Sequence, residues 1–428
     1  MLFYYCPGGI MTGEEKRNEK EKRILDALSL KEPDRVPLCP ALQTFPYTQN
    51  GFTVAQCVYD MDKTEEAVVK YLETYDPDAA NGYANAFVGM GPILEKAAPK
   101  NFRWAGSPER SIDDNSVQQF IEFALLRDDE YEMFNSDRTG WLLSRCFPRV
   151  SGVTECLKDF QVSTDNASNP YLALAAFFGR PEAKRMIQTL WEIDEIQKER
   201  AARIAAIDER IVAMGYPILV RGQAAVPFDS YSDFLRGTIE GMEDLYDRPE
   251  EVERFCEEKI VRVLDNLRAL GEKYAGQNKY VFMALHKGFD SFMNTEHYQK
   301  YYWSYLQKII CAIIDNGMIP YIFCEGSYNS RLSFLKEVPK GKVLYRFEKI
   351  DIEAAKRELG DTACISGGFR SALLNYGTRE AVIDEVKRFI DICAPGGGYI
   401  FDLDCGLSSA KPENVEAMMD TVKTYGKR

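Results

Sequence analysis

The sequence predicts a (β/α)8 barrel. From residue 217 onward, short apolar runs alternate with amphipathic helical patterns. The runs are apolar throughout rather than at every second position, as expected of parallel strands covered on both faces. A polar or reactive residue closes most of these runs, and that is where such a barrel mounts its chemistry. An open, doubly wound sheet is the alternative. No G-x-G-x-x-G follows a first strand and no G-x-x-x-x-G-K-[ST] loop occurs, so nucleotide folds are disfavoured.

Residues 1–33 are expected to form an N-terminal extension, and 34–428 the barrel, with an insertion at about 90–215. The first eleven residues have a short apolar patch without the basic leader of a secretory signal; Met11 is an equal candidate for the natural start, with the first ten residues then a disordered tag. Residues 14–32 carry dense alternating charge and read as a solvated helix that turns Ile24, Leu25 and Leu28 inward. Pro33 ends it, and RVPLCPALQ at 35–43 reads as a buried strand. Residues 90–165 show no sustained period. Pro181 then opens a long helical pattern reaching Gly215, with apolar positions at Met186, Leu190, Ile193, Ile204, Ile207, Ile211 and Met214. Packing on the core is its first reading; a subunit contact, giving a homodimer, is the second.

Six strands are predicted at 217–222, 279–287, 318–326, 342–347, 362–368 and 397–406. Helical patterns lie at 249–272, 295–316, 351–359, 379–392 and 412–425. Thr295 and Thr378 are candidate N-caps, and Gly360 and Gly426 candidate stops.

Composition excludes several function classes. With 45% apolar and 12% aromatic residues the chain can build a large core. Lys plus Arg total 53 against 66 Asp plus Glu, a net charge of −13, which argues against nucleic acid as a partner. No run approaches the ~20 apolar residues of a membrane span. Eleven scattered cysteines without a CxxC pair read as reduced thiols, and so as a cytoplasmic protein. Two histidines, His286 and His297, cannot make a three-imidazole metal site.

The strand ends nominate the chemistry. Arg221 and Gln223, His286, Glu325, Ser366, and Asp404 with Cys405 each follow an apolar run. Taken singly, His286 is a strand-end histidine satisfied by a carbonyl, Glu325 a salt-bridge partner and Cys405 a small buried hydrophobe. Taken together, one imidazole, one carboxylate and one thiolate from three strands of one rim make a three-ligand zinc site with a position open to substrate. Strand alternation turns Cys324 away from Glu325. His297 reads as structural or exposed, and the following Tyr301, Tyr302 and Trp303 read as packing, with a partner surface as the alternative.

Residues 23–40, RILDALSLKEPDRVPLCP, resemble the N-terminal signature of the uroporphyrinogen decarboxylase superfamily. The C-terminal part resembles it more strongly, in FCEGSYNSRL, PKGKVLYRFEKIDIEAAKRELGD, ACISGGFRSALLNYGTREAV and GGGYIFDLDCGLSSAKPENVEAMMDTVKTYG. The resemblance spans about 215–428 together with 23–40, and implies a (β/α)8 barrel. True decarboxylases carry Arg-Gln-Ala-Gly-Arg after the first strand to hold substrate propionates, whereas CPALQTF stands at 39–45 here.

The other branch, the cobamide-dependent methyltransferases, binds zinc through His-x-Cys-Gly and a later cysteine. The matching positions are Phe323, Cys324, Glu325 and Gly326, then Cys405. The resemblance therefore implies zinc on Glu325 and Cys405, with His286 supplying the imidazole from the neighbouring strand. A harder donor set suits an oxygen-bearing substrate. The implied function is methyl transfer from a small O-methyl or methoxylated donor to the Co(I) corrinoid of a partner protein. No corrinoid-binding D-x-H-x-x-G occurs in this chain. Arg221, Gln223, Asp290, Tyr328 and Asn329 are the candidates for holding substrate. Methyl transfer from a corrinoid to a thiol or folate, a metal-free lyase, and a non-catalytic binding protein are the competing readings.

Overall fold

The computed structural model describes residues 4–6, 9–83, 87–109 and 112–427. Its centre is a parallel sheet of six strands in sequence order: β1 (Val220–Gln223), β2 (Tyr280–Leu285), β3 (Ile319–Ser327), β4 (Leu344–Lys349), β5 (Cys364–Gly367) and β6 (Tyr399–Ile400). Two extended segments close it into a barrel. Residues 35–42 run parallel to the last strand through a Leu38–Phe401 bridge. Residues 78–81 lie beside them, with the Asp78 amide donating to the Leu38 carbonyl and the Leu42 amide to that of Asn81, 2.8 Å each. The Ala80 amide reaches the Pro217 carbonyl at 3.1 Å and so joins this stave to β1. The run at 35–43 is thus a stave, as its sequence predicts. Pro37 and Pro40 remove two donors from it, so it holds by isolated bridges rather than a full ladder.

Helix α1 (Gly13–Leu28) begins at a capping box between Thr12 and Glu15. Its Ile24, Ala27 and Leu28 pack beneath the barrel against one residue from each stave: Cys39, Ala79, Leu219, Tyr280, Tyr321, Leu344, Cys364 and Ile400. Charge locks this plug in place. Arg23 and Arg35 both pair with the fully buried Asp78, at 2.6 and 2.7 Å. Above it, alternation along β2 sends Val281, Met283 and Leu285 outward onto the helix-facing core. Tyr280 and Phe282 turn into the barrel.

The helices keep close to their predicted bounds. Thr378 caps its helix through the Ala381 amide, and Gly360 and Gly426 follow the last helical residues of theirs. The cap at 295 is a correction. Asn294 accepts from the His297 amide there, one residue earlier than expected, because its side chain precedes the first helical turn.

Two further expectations are revised. Tyr4–Cys6 and Gly9–Met11 pair as an antiparallel ribbon rather than a disordered tail, while residues 1–3 and 7–8 lie outside the described residues. Helix α2 (Pro181–Ala213) is fully buried only near its ends, at Ala183 and Met186 and at Ile207 and Ile211, while Glu192 and Arg200 tie its middle to Lys96 and to the Val88 carbonyl. Leu190 is exposed, because the middle of this helix, about 50 Å long in all, bridges the insertion's own small core and the barrel. Tyr301, Tyr302 and Trp303 are buried as packing residues. No helix among the described residues is long and apolar enough to cross a membrane.

Candidate active site

The mouth of the barrel, at the C-terminal strand ends, gathers charge around His286. After β1, Pro227 opens the short helix α3 (Pro227–Tyr231), which runs into a π-helical turn over Ser232–Arg236. Asp229 and Asp233, four residues apart, share a face of this element. Asp229 is buried and accepts from the backbone amides of His286 (3.2 Å) and Lys287 (2.9 Å) and from the Tyr302 hydroxyl (2.7 Å). Asp233 accepts from Nδ1 of the His286 ring at 2.5 Å and pairs with the Lys287 ammonium at 3.2 Å. One carboxylate pins the backbone of the histidine and the next orients its ring.

With Nδ1 engaged, Nε2 faces Glu325, whose Oε2 lies 3.6 Å away. Gly326 makes this possible. Its φ of +85° kinks β3 directly after Glu325, and a Cβ there would meet Phe289 at 2.9 Å. The freed Gly326 amide donates to Glu348 at 2.6 Å.

The electrostatics follow from this geometry. The Asp233 hydrogen bond, against burial and with the charges of Asp229 and Glu325, pushes His286 up to about 9. Burial lifts Asp229 to about 7 despite the His286 charge and the Tyr302 hydrogen bond. Burial also raises Glu325, with Glu348 and Asp233 adding to it and His286 opposing.

Cys405 lies three staves from β3, after the last strand. Its Sγ is 3.1 Å from the Ser371 hydroxyl, and its amide donates to Asp404 at 2.7 Å. Burial and the Asp404 charge raise the thiol above its usual range, against the Ser371 hydrogen bond. On β4, between the strand of Glu325 and the segment of Cys405, sits Arg346, 3.0 Å from the buried Asp402 and stacked on Phe323, with its Nη2 unpartnered among the described residues.

As a metal site the set fits at two donors. A 3.6 Å gap between Nε2 and Oε2 is close to the ~3.4 Å edge of a tetrahedron with zinc–ligand bonds of ~2.1 Å. A carboxylate behind the imidazole is the usual support of a metal-binding histidine. The sulfur is not gathered with them. Among the described residues, no three His, Cys, Asp or Glu side chains are assembled to hold a metal ion as they stand.

The expected substrate residues fare differently. Gln223 lines a cavity of about 500 Å³ together with Asp229, Asp233 and His286. Arg221 sits in a bulge of β1 that turns its guanidinium outward to Asp208 of α2. Asp290 holds the Ser327 and Ser330 hydroxyls at 2.7 Å each, binding two rim loops together. Tyr328 is wholly buried and donates to the Leu285 carbonyl, and Asn329 joins Ser327 to the Asp351 amide. These three hold the rim loops to one another. Cys324 packs in the outer core, as alternation predicts.

The sequence model of uroporphyrinogen decarboxylase (URO-D) matches residues 177–425, more than half of the chain. The chain belongs to the uroporphyrinogen decarboxylase family. Relatives in that family include the uroporphyrinogen decarboxylase of Aromatoleum aromaticum, 26% identical over 135 residues, 31% of this chain and 37% of that protein. That of Vesicomyosocius okutanii is 33% identical over 79 residues, 18% and 23% of the two chains. The chain thus aligns with well under half the length of these relatives. Among solved structures, a methyltransferase from Methanosarcina mazei superposes with a TM-score of 0.57 at 14% identity, covering 97% of this chain and 99% of that one. That likeness is one of fold, and it confirms the (β/α)8 barrel.

Proposed function

We propose that this member of the family is a methyltransferase. It would move a methyl group from a small O-methylated molecule to the Co(I) corrinoid of a partner protein, with zinc on His286, Glu325 and Cys405. The observation that carries the reading is the His286–Glu325 pair, 3.6 Å apart, with Asp233 bonded behind the imidazole. When bound, the metal supplies a Lewis acid for the ether oxygen, whose poor leaving ability is what makes methyl ethers inert.

The protein's own groups do the rest. Asp229 fixes the strand end, so the imidazole keeps its place without reorganisation. Asp233 accepts the hydrogen bond of the Nδ1–H, which keeps the proton of a neutral ring on Nδ1 and leaves the Nε2 lone pair directed at the mouth. Lys287, held by Asp233 and Thr238, offsets the negative charge gathered there.

A metal-free lyase is the second reading, favoured by the decarboxylase relatives and by the separation of Cys405 from the pair. CPALQTF at 39–45 weighs against it, since it lacks the arginines that hold propionates. Metal analysis of anaerobically purified wild type beside Glu325→Ala and Cys405→Ala decides between them. Stoichiometric zinc lost in both variants supports the ligand set, and full zinc in both removes it. Co(I) cobalamin mixed with methoxylated compounds then tests the reaction.

A further inference from the structure

Helix α2 runs with one side against the body of the protein and the other in water. The residues that hold it, buried Ala183, Met186, Ile207 and Ile211 and the tied Glu192 and Arg200, fall on one half of its circumference. The opposite half carries a line of exposed residues that begins at Lys184, ends at Glu209 and advances by alternating steps of four and three. That is the spacing of a coiled-coil seam. Trp191 stands on this line, 65% exposed. The preceding helix, Pro170–Phe178, reads PYLALAAFF and leaves Tyr171 and Leu172 65% and 59% exposed. Large apolar side chains left outside on two consecutive helices mark an interface rather than a solvated face.

The order of residues along the line says which partner fits. Laid antiparallel on a copy of itself about the middle of α2, between Ile196 and Gln197, the line is self-complementary. Lys184 then meets the partner's Glu209, and Glu195 meets the partner's Lys198. Trp191 lies over the partner's Ala202, and Gln188 over the partner's Ala205, so bulk falls on small residues. A twofold axis repeats each contact, as in an isologous dimer. Sliding the pair by one heptad either way takes every one of these charges away from its opposite, and a parallel pairing sets like against like. Lys184 and Glu209 have no partner of opposite charge within the chain among the described residues, so a second copy supplies one without breaking an existing pair. At the centre Lys198 holds its own Glu195 at 2.9 Å, and the axis turns two such pairs into a ring of four alternating charges. A strip about 50 Å long and ~10 Å wide is roughly 500 Å² per copy, or about 1,000 Å² in all, the lower bound for a specific interface.

We propose that the outer face of α2 is a dimer interface of this chain, two copies pairing antiparallel through Trp191 and the charges that flank it. The interface stands on the insertion and holds whatever reaction the mouth carries out.

The test is sedimentation velocity of the full chain across about 1 to 100 μM, the range that brackets so small an interface. Wild type should shift with concentration from one 48.8 kDa chain to two. Glu195→Lys sets lysine against lysine at the centre and should weaken the dimer by about tenfold or more, since the axis doubles every substitution. Adding Lys198→Glu to it restores opposite charges across the axis and should recover most of the affinity. Trp191→Ala should weaken the dimer by about tenfold as well. All three positions are exposed, so the circular dichroism of each variant should match wild type. A monomer at every concentration, an assembly larger than two, or a dimer that Glu195→Lys and Trp191→Ala leave unchanged overturns the interface. So does a double variant that dimerises no better than Glu195→Lys alone.

Discussion

On the arc of the mouth formed by β2 and β3, His286 is fixed twice, through its backbone by Asp229 and through its ring by Asp233. On the arc beyond β6, Cys405 is exposed, and its thiol has only the Ser371 hydroxyl and, at 3.7 Å, the adjoining Gly406 carbonyl as partners among the described residues. The first arc is preorganised behind the imidazole: Asp229 is buried and satisfied and Asp233 is engaged by the ring and by Lys287, so the histidine does not wait for a ligand. The second is adaptable, a thiol on a loop that can exchange one partner for another. A site joining the two would take its precision from one side and its closure from the other.

The largest effect expected is on the fixed arc. Asp229→Ala leaves two backbone amides and the Tyr302 hydroxyl unpaired in the interior, a loss of about 3 kcal/mol. Urea denaturation measures it, and a loss no greater than that of a surface variant would show the arc is not preorganised by this residue.

Next is Asp233→Asn, which keeps the shape but weakens the hold on Nδ1. Zinc affinity or turnover should fall by about 10- to 100-fold. An unchanged metal affinity would detach Asp233 from the site.

The adaptable arc predicts the reverse pattern. Cys405→Ser should change stability by less than about 0.5 kcal/mol, as for other exposed positions, yet abolish stoichiometric zinc. Its raised thiol should also react sluggishly with iodoacetamide at pH 7 and faster as pH rises, and added zinc should protect it. Fast labelling at neutral pH would contradict this.

The smallest effect is on pH. His286 in the folded chain is raised to about 9 from its ordinary 6.5, so the stability it contributes is fully present below about 6.5. That contribution is lost as pH rises through about 9. Melting temperature should decline across this window in wild type and flatten in Asp233→Asn. A slope surviving in the variant would assign it to another group.

The barrel was legible because its strands are uniformly apolar and its helices amphipathic, and both signals are local. His286, Glu325 and Cys405 could be picked out because each closes an apolar run. Asp229 and Asp233 were missed. The signal was present in PFDSYSDF, two carboxylates four apart just after a strand, but only a helical reading of that segment puts them on one face. Arg221 was misplaced because a bulge shifts register by one residue, and alternation cannot foresee it. The rim roles of Asp290 and Asn329 depend on loops meeting across 37 and 22 residues, contacts without local periodicity.

The plug beneath the barrel has a consequence for traffic. With α1 and one side chain from every stave sealing the floor, that end of the barrel is closed to a ligand. Whatever reacts at the strand ends cannot pass through the barrel. If a partner protein docks at the mouth as proposed, a small molecule bound there would have to enter before it and leave after it. Order of arrival is then written into the architecture before any residue at the mouth is considered.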